Sequence, residues 1–287
     1  MSIKQSFLDN LMAMTKDLMK KMCIKIRDLR SYTGRATHVS NLLFAWRPFL
    51  DPLWAAVSSR DVRDEDGQSK SKRSKAMKGT AWTKQVESSL TWIAAFLRGG
   101  IGRLTRVWDR KYFDEAVNIH FVLDASPYGL GGVSYIDGVP VAFFWSDLTE
   151  HDERIHKYKR GDSRGQQCWE CLVVLVAIRA FSNIWLHRKA AIKLRSDNMS
   201  ALTLAAKLKC TGHSNLIARE VAMIYGKASF QPRCVEHLPG IINTVADALS
   251  RLSDPNKKYT VPEQLAHLQP VPVPIRSEQY YATLATA

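Results

Sequence analysis

No apolar run in this chain is long enough to cross a bilayer: the most apolar stretch, CLVVLVAI at 171–178, stops at Arg179 after eight residues, where about 20 are needed. Nothing near Met1 reads as a secretory leader either, because Lys and Asp interrupt every apolar stretch there. Cysteine is sparse and odd in number, five residues at 23, 168, 171, 210 and 234. That argues against a disulfide framework and for free thiols in a reducing compartment, so the expectation is an intracellular protein of cytoplasm or nucleus with no membrane partner. No internal repeat of 20 to 50 residues is visible, which excludes solenoids and propellers. Acidic residues are the other shortage: 27 against 41 basic ones, a formal charge of +14. Such an excess suits a long polyanion.

What is present is ordinary globular composition, 46% hydrophobic and 24% charged over 287 residues, enough for about two domains. Residues 1–118 carry +10 of the charge and 119–287 only +4. Apolar residues at three- and four-residue spacing predict a helix over Ser6–Leu29, with Met22 and Ile26 on its apolar face. A second helical pair follows Gly34, broken near Pro48 and Pro52. Residues 58–80 lose that period and hold the basic cluster Lys70, Lys72, Arg73, Lys75 and Lys78, read as an exposed linker or a phosphate contact. Helical spacing resumes over 81–117. From Ile119 the period shortens: IHFVLDAS, GLGGVSYI and VPVAFFW predict three antiparallel strands. A long helix from Arg164 to His187, the strand AAIKLRSD, two helices, the strand FQPRCVEH and a last helix near Leu252 complete the order βββαβααβα over 118–252. The tail 253–287, with Pro262, Pro270, Pro272 and Pro274, is expected to be extended rather than packed.

Four carboxylates stand in this second half where the surrounding pattern is apolar. Asp124 ends IHFVLD, Glu170 lies on an apolar helix face, Asp197 ends IKLRSD, and Asp247 lies in TVADAL. Burying such groups together requires a compensating cation. Oxygen donors without thiolate or imidazole select Mg²⁺, with Mn²⁺ as a substitute. Two such ions can serve phosphodiester hydrolysis.

The strings FVLDASPYGLGGVSY, WECLVVLVAIRAF, LRSDNMSAL and VEHLPGIINTVADALSRL, in this order, resemble the ribonuclease H domain of retrotransposon reverse transcriptases. The resemblance implies an α/β fold with a mixed five-stranded sheet, preceded by a mainly helical region. It also implies hydrolysis of the RNA strand of an RNA/DNA hybrid by two Mg²⁺ ions. Asp124 would bridge both ions, Glu170 and Asp197 would complete the site nearer the nucleophilic water, and Asp247 would hold the second ion. His237 matches a position that in cellular relatives assists proton transfer or product release, and Ser126 and Asn198 would be the nearest contacts to the hybrid. Residues 29–56 are similar to the thumb or connection region of the same polyproteins. A YxDD-like pair, palm and fingers are missing, so polymerase activity is not expected from this chain alone, and the polymerase part is an implied partner.

Three other readings compete. Cys168 and Cys171 form CxxC, and Cys210 with His213 and Cys234 with His237 share the same spacing, a conceivable zinc set. An integrase would place its Glu last, whereas here the Glu comes second. A catalytically inactive nucleic-acid-binding remnant would keep the fold without the chemistry.

Overall fold

In the computed structural model, residues 2–58, 79–106, 112, 114–210, 212–228 and 232–284 are described. The chain divides into two compact units, one built from the residues before 108 with a short piece from Tyr225, the other from the remainder.

The first unit is helical, with α1 (Gln5–Met19), a short strand β1 (Cys23–Lys25), α2 (Ile26–Leu42), α3 (Arg47–Ser58), a short strand β2 (Thr80–Trp82) and α4 (Glu87–Leu97). Its core packs Trp46 and Phe49 against Trp92 and Phe96, with ring centroids 5.4 to 5.9 Å apart. Two expectations need correcting here. The helix over Ser6–Leu29 ends at Met19, because Cys23–Lys25 pairs antiparallel with Thr80–Trp82, a long-range partner that local periodicity cannot reveal. Met22, placed on the apolar face, is consequently 79% exposed. Pro52 does not break α3 either; it lies inside the helix, in its second turn, where it forgoes the hydrogen bond to the Pro48 carbonyl without ending the element. All five residues of the basic cluster, Lys70, Lys72, Arg73, Lys75 and Lys78, lie outside the described residues.

The second unit opens with β3 (Val117–Ala125), β4 (Gly129–Ile136) and β5 (Val139–Asp147), then α5 (Glu150–His156), α6 (Gln166–Ala180) and α7 (Ser182–Trp185). It continues through β6 (Ala190–Ser196), α8 (Met199–Lys207), α9 (Asn215–Ala228), β7 (Cys234–His237) and α10 (Thr244–Ser250). The strands form one mixed sheet in the order β5-β4-β3-β6-β7, antiparallel across the first three and parallel from β3 through β6 to β7. This is the α/β architecture with a mixed five-stranded sheet expected from the sequence. The long helix expected over Arg164–His187 is divided at Phe181 into α6 and α7. α5 was not expected; it is nucleated by a capping box in which Thr149 and Asp152 each satisfy the other's backbone N–H.

Buriedness follows composition. Glu170 apart, α6 is apolar all round from Cys168 to Ile178 and is buried all round, which is what a helix without a broad polar face requires. α10 lies directly on β4: a Cβ at Gly131 would meet Ser250 N at 2.5 Å and Ala246 O at 2.6 Å, so only glycine admits the helix this close. The tail is packed, contrary to the expectation of an extended arm. Val271 N donates to Phe143 O on β5, Leu265 and Tyr281 are buried, and the buried Arg276 clamps Asp152 with two 2.8 Å hydrogen bonds. The Pro residues do impose extended backbone, but apolar and ionic side chains between them anchor it.

Candidate metal centre

Parallel pairing of β3 with β6 places the carboxyl ends of two neighbouring strands side by side. The register matches Val122 with Arg195, so Asp124 and Asp197, each two residues further on, emerge together at the edge where α/β sheets commonly build their sites. α6 starts above that edge and delivers Glu170 from its second turn. One ligand atom each from Asp124, Glu170 and Asp197 lies within 4.8 Å of the other two, and among the described residues this is the group of His, Cys, Asp and Glu side chains that converges so.

The polar partners hold these groups in place without neutralising them. Asp124 is 5% exposed, and its Oδ2 accepts a 2.6 Å hydrogen bond from the Ser250 hydroxyl. Burial pushes its carboxyl up to about 7, and the neighbouring Asp197 and Asp247 push the same way against the Ser250 hydrogen bond. Glu170 is 4% exposed. Its Oε1 accepts from Gln166 Nε2 at 2.9 Å, and its buried Oε2 has no hydrogen-bond partner. Burial, followed by the charge of Asp124, drives the Glu170 carboxyl well above its usual range. Gln166 is itself held by donation to Ala125 O. Gly240 approaches from the loop after β7: a Cβ there would lie 3.1 Å from Asp197 Oδ2.

A divalent cation fits this donor set. Three acidic groups, oxygen-only, converge with an orphaned buried oxygen. A shared cation is the compensation such a group calls for.

The other expected residues are placed less centrally. Asp247, on α10, is close enough to raise the Asp124 carboxyl, but it stands beside the trio rather than in it: its Oδ1 accepts from Arg251 Nε at 2.6 Å, an ion pair more than a third exposed. His237 is exposed and lies 3.1 Å from the Asp197 carbonyl oxygen through Nε2. A carbonyl only accepts, so Nε2 carries the proton and Nδ1 is the basic nitrogen. Asn198 caps α8 by accepting from Ser200 N, leaving its amide N–H groups on the partly exposed rim. Ser126 is corrected: its hydroxyl is buried, accepts from the Tyr128 and Gly129 amides and donates to Ser250 O at 2.7 Å. It is a turn residue that ties the β3–β4 turn to the end of α10, because a Ser at the head of SPYG is best placed to bond the amides two and three residues on.

Ser250, Gln166, Arg251 and Gly240 escaped sequence reasoning. Gln166 could have been found from its i, i+4 spacing to Glu170; the contact of Ser250 with Asp124 has no local signal. The cysteine–histidine pairs do not converge as a zinc set would: Cys171 and Cys210 sulfurs meet at 3.6 Å, while Cys234 and His213 are exposed.

No family model and no curated protein matches the chain. Among solved structures it is similar to RNase H1 from the halophilic archaeon Halobacterium salinarum NRC-1, with 18% identity and a TM-score of 0.35 over 50% of this chain and 99% of that one. It is also similar to the foamy viral protease-reverse transcriptase in complex with RNA/DNA hybrid, with 15% identity and a TM-score of 0.28 over 95% of this chain and 30% of that one. A dRH form of the same viral protein in complex with ds DNA aligns at 14% identity and a TM-score of 0.27, over 83% of this chain and 35% of that one.

Proposed function

We propose that the chain is a divalent-metal-dependent endoribonuclease that hydrolyses the RNA strand of RNA/DNA hybrids, the C-terminal part of a retroelement reverse transcriptase without its palm. The observation that carries this reading is the convergence of Asp124, Glu170 and Asp197 around the buried, unpartnered Glu170 Oε2. These three, with Asp247 beside them, would hold Mg²⁺ or Mn²⁺, two ions in the arrangement the carboxylates suggest, which supply water activation and charge neutralisation at a scissile phosphodiester. The protein's own contribution is preorganisation. Ser250 fixes the orientation of Asp124, Gln166 fixes Glu170, and Gly240 leaves room for the Asp197 carboxylate. His237, anchored on the Asp197 carbonyl, presents Nδ1 for proton exchange at the rim. Asn198 offers amide donors to 2′-hydroxyls of the hybrid. The helical region before 118 would act as a thumb- or connection-like grip on the duplex, aided by its net charge.

One observation favours the alternative of an inactive binding remnant: the Arg251 guanidinium occupies Asp247, the carboxylate that would complete the site. Incubation with a labelled RNA/DNA hybrid and Mg²⁺ separates the two. RNA cleavage that Asp124→Asn abolishes supports the enzyme, and tight binding without cleavage supports the remnant.

A further inference from the structure

Two free thiols touch away from the carboxylates. Cys171 on α6 and Cys210, three residues after α8, place their sulfurs 3.6 Å apart although 39 residues separate them in sequence. The environment divides the labour between them. Cys171 is buried and Cys210 is partly exposed, so a dissolved reagent reaches Cys210 first. The other buried thiol of α6, Cys168, is engaged with Ser214 instead.

We infer that Cys171 and Cys210 form an intramolecular disulfide when the folded protein meets a low-molecular-weight disulfide such as glutathione disulfide. The Cys210 thiolate attacks one glutathione sulfur, the glutathione S–S bond breaks, and the first glutathione leaves as a thiolate that takes up a proton. Cys171 then loses its proton and attacks the Cys210 sulfur, forming the protein disulfide and expelling the second glutathione. Two protein thiols are oxidised by two electrons, and one glutathione disulfide becomes two thiols. The closed loop contains β6, α8 and therefore Asp197, and its anchor on α6 is the residue after Glu170, so the link staples together the two segments that bring those carboxylates to one place. The site stands on thiol geometry alone and holds whether or not the protein cleaves hybrids.

The exposed Cys234 supplies an internal control. The reduced, folded full chain is treated with rising glutathione disulfide until Cys234 carries glutathione, then alkylated, digested and mapped by mass. The expected product is a linked Cys171–Cys210 peptide pair, about 2 Da lighter than the two thiol peptides together. Cys171→Ser should leave glutathione trapped on Cys210, and Cys210→Ser should leave Cys171 unmodified. The inference is overturned if Cys234 is modified while Cys171 and Cys210 both remain alkylatable. It is equally overturned if wild-type Cys210 holds glutathione without transfer to Cys171, or if the link forms only after denaturation.

Discussion

The Ser250 hydroxyl and the Asp124 carboxylate meet at 2.6 Å across 126 residues of sequence. Their meeting depends on three separate pieces of local chemistry: the Ser126 turn that holds the end of α10, the glycine at 131 that admits the helix, and the β3 register that sets Asp124 opposite that glycine. Removing the hydroxyl should matter more than its size suggests, because groups that orient a ligand commonly carry 10- to 100-fold effects. Ser250→Ala is expected to lower hybrid cleavage or Mg²⁺ affinity by about that factor. Since the hydrogen bond favours the ionised carboxyl, the acid limb of the pH–rate profile should also move to higher pH. Unchanged rate and profile would show that Ser250 only packs.

The raised Asp124 carboxyl has a signature in metal-free protein. Its folded value is about 7 against an ordinary 3.8, so between those pH values the folded state holds the proton more firmly than the unfolded chain. Stability contributed by this group therefore falls as pH rises through that window, by up to about 4 kcal/mol. His156, buried and pushed down to about 4, acts oppositely as pH rises from 4 to 6.5. The informative measurement is the difference in urea stability between wild type and Asp124→Asn from pH 4 to 8 in chelator. The difference should grow in favour of the variant with rising pH, and Mg²⁺ should cancel it.

Gly131→Ala tests the close approach of α10. The new methyl would strike backbone atoms of Ser250 and Ala246, neither able to rotate away. A loss of about 1 to 3 kcal/mol is expected, with cleavage reduced as well because Ser250 moves off Asp124. Denaturation together with the hybrid assay measures both; a neutral result would mean that α10 shifts freely.

Arg276→Met should be among the most damaging changes in the second unit. It strands the fully buried Asp152 at an expected cost of about 3 to 5 kcal/mol, while Arg276→Met with Asp152→Leu should recover much of the loss. Urea titrations of both variants check this, and equal instability of the single and double variants would contradict it.

Most of the second unit was legible because its signals are local. The change from helical to alternating period at Ile119 and the apolar strings ending in Asp each mark an element by its own residues. Asp124, Glu170 and Asp197 stood out by the same logic, as acids in apolar surroundings. What escaped depends on partners distant in sequence. The β1–β2 pairing cut short a helix whose apolar spacing ran on through Met22, and the clamp of Arg276 on Asp152 packed a tail whose Pro content pointed to an open arm. Ser126 was misplaced for a related reason: proximity to Asp124 along the chain suggested a shared outward role, but β3 ends at Ala125 and the turn that follows consumes the hydroxyl.

Pairing of Val271 with Phe143 covers the otherwise open backbone of β5, the outermost strand. A fragment trimmed at Leu252, just past the string that carries Asp247, would present that row of amides and carbonyls to any neighbouring molecule and invite edge-to-edge association. Solubility of an excised second unit therefore sets its boundary beyond Tyr281 rather than at the last carboxylate.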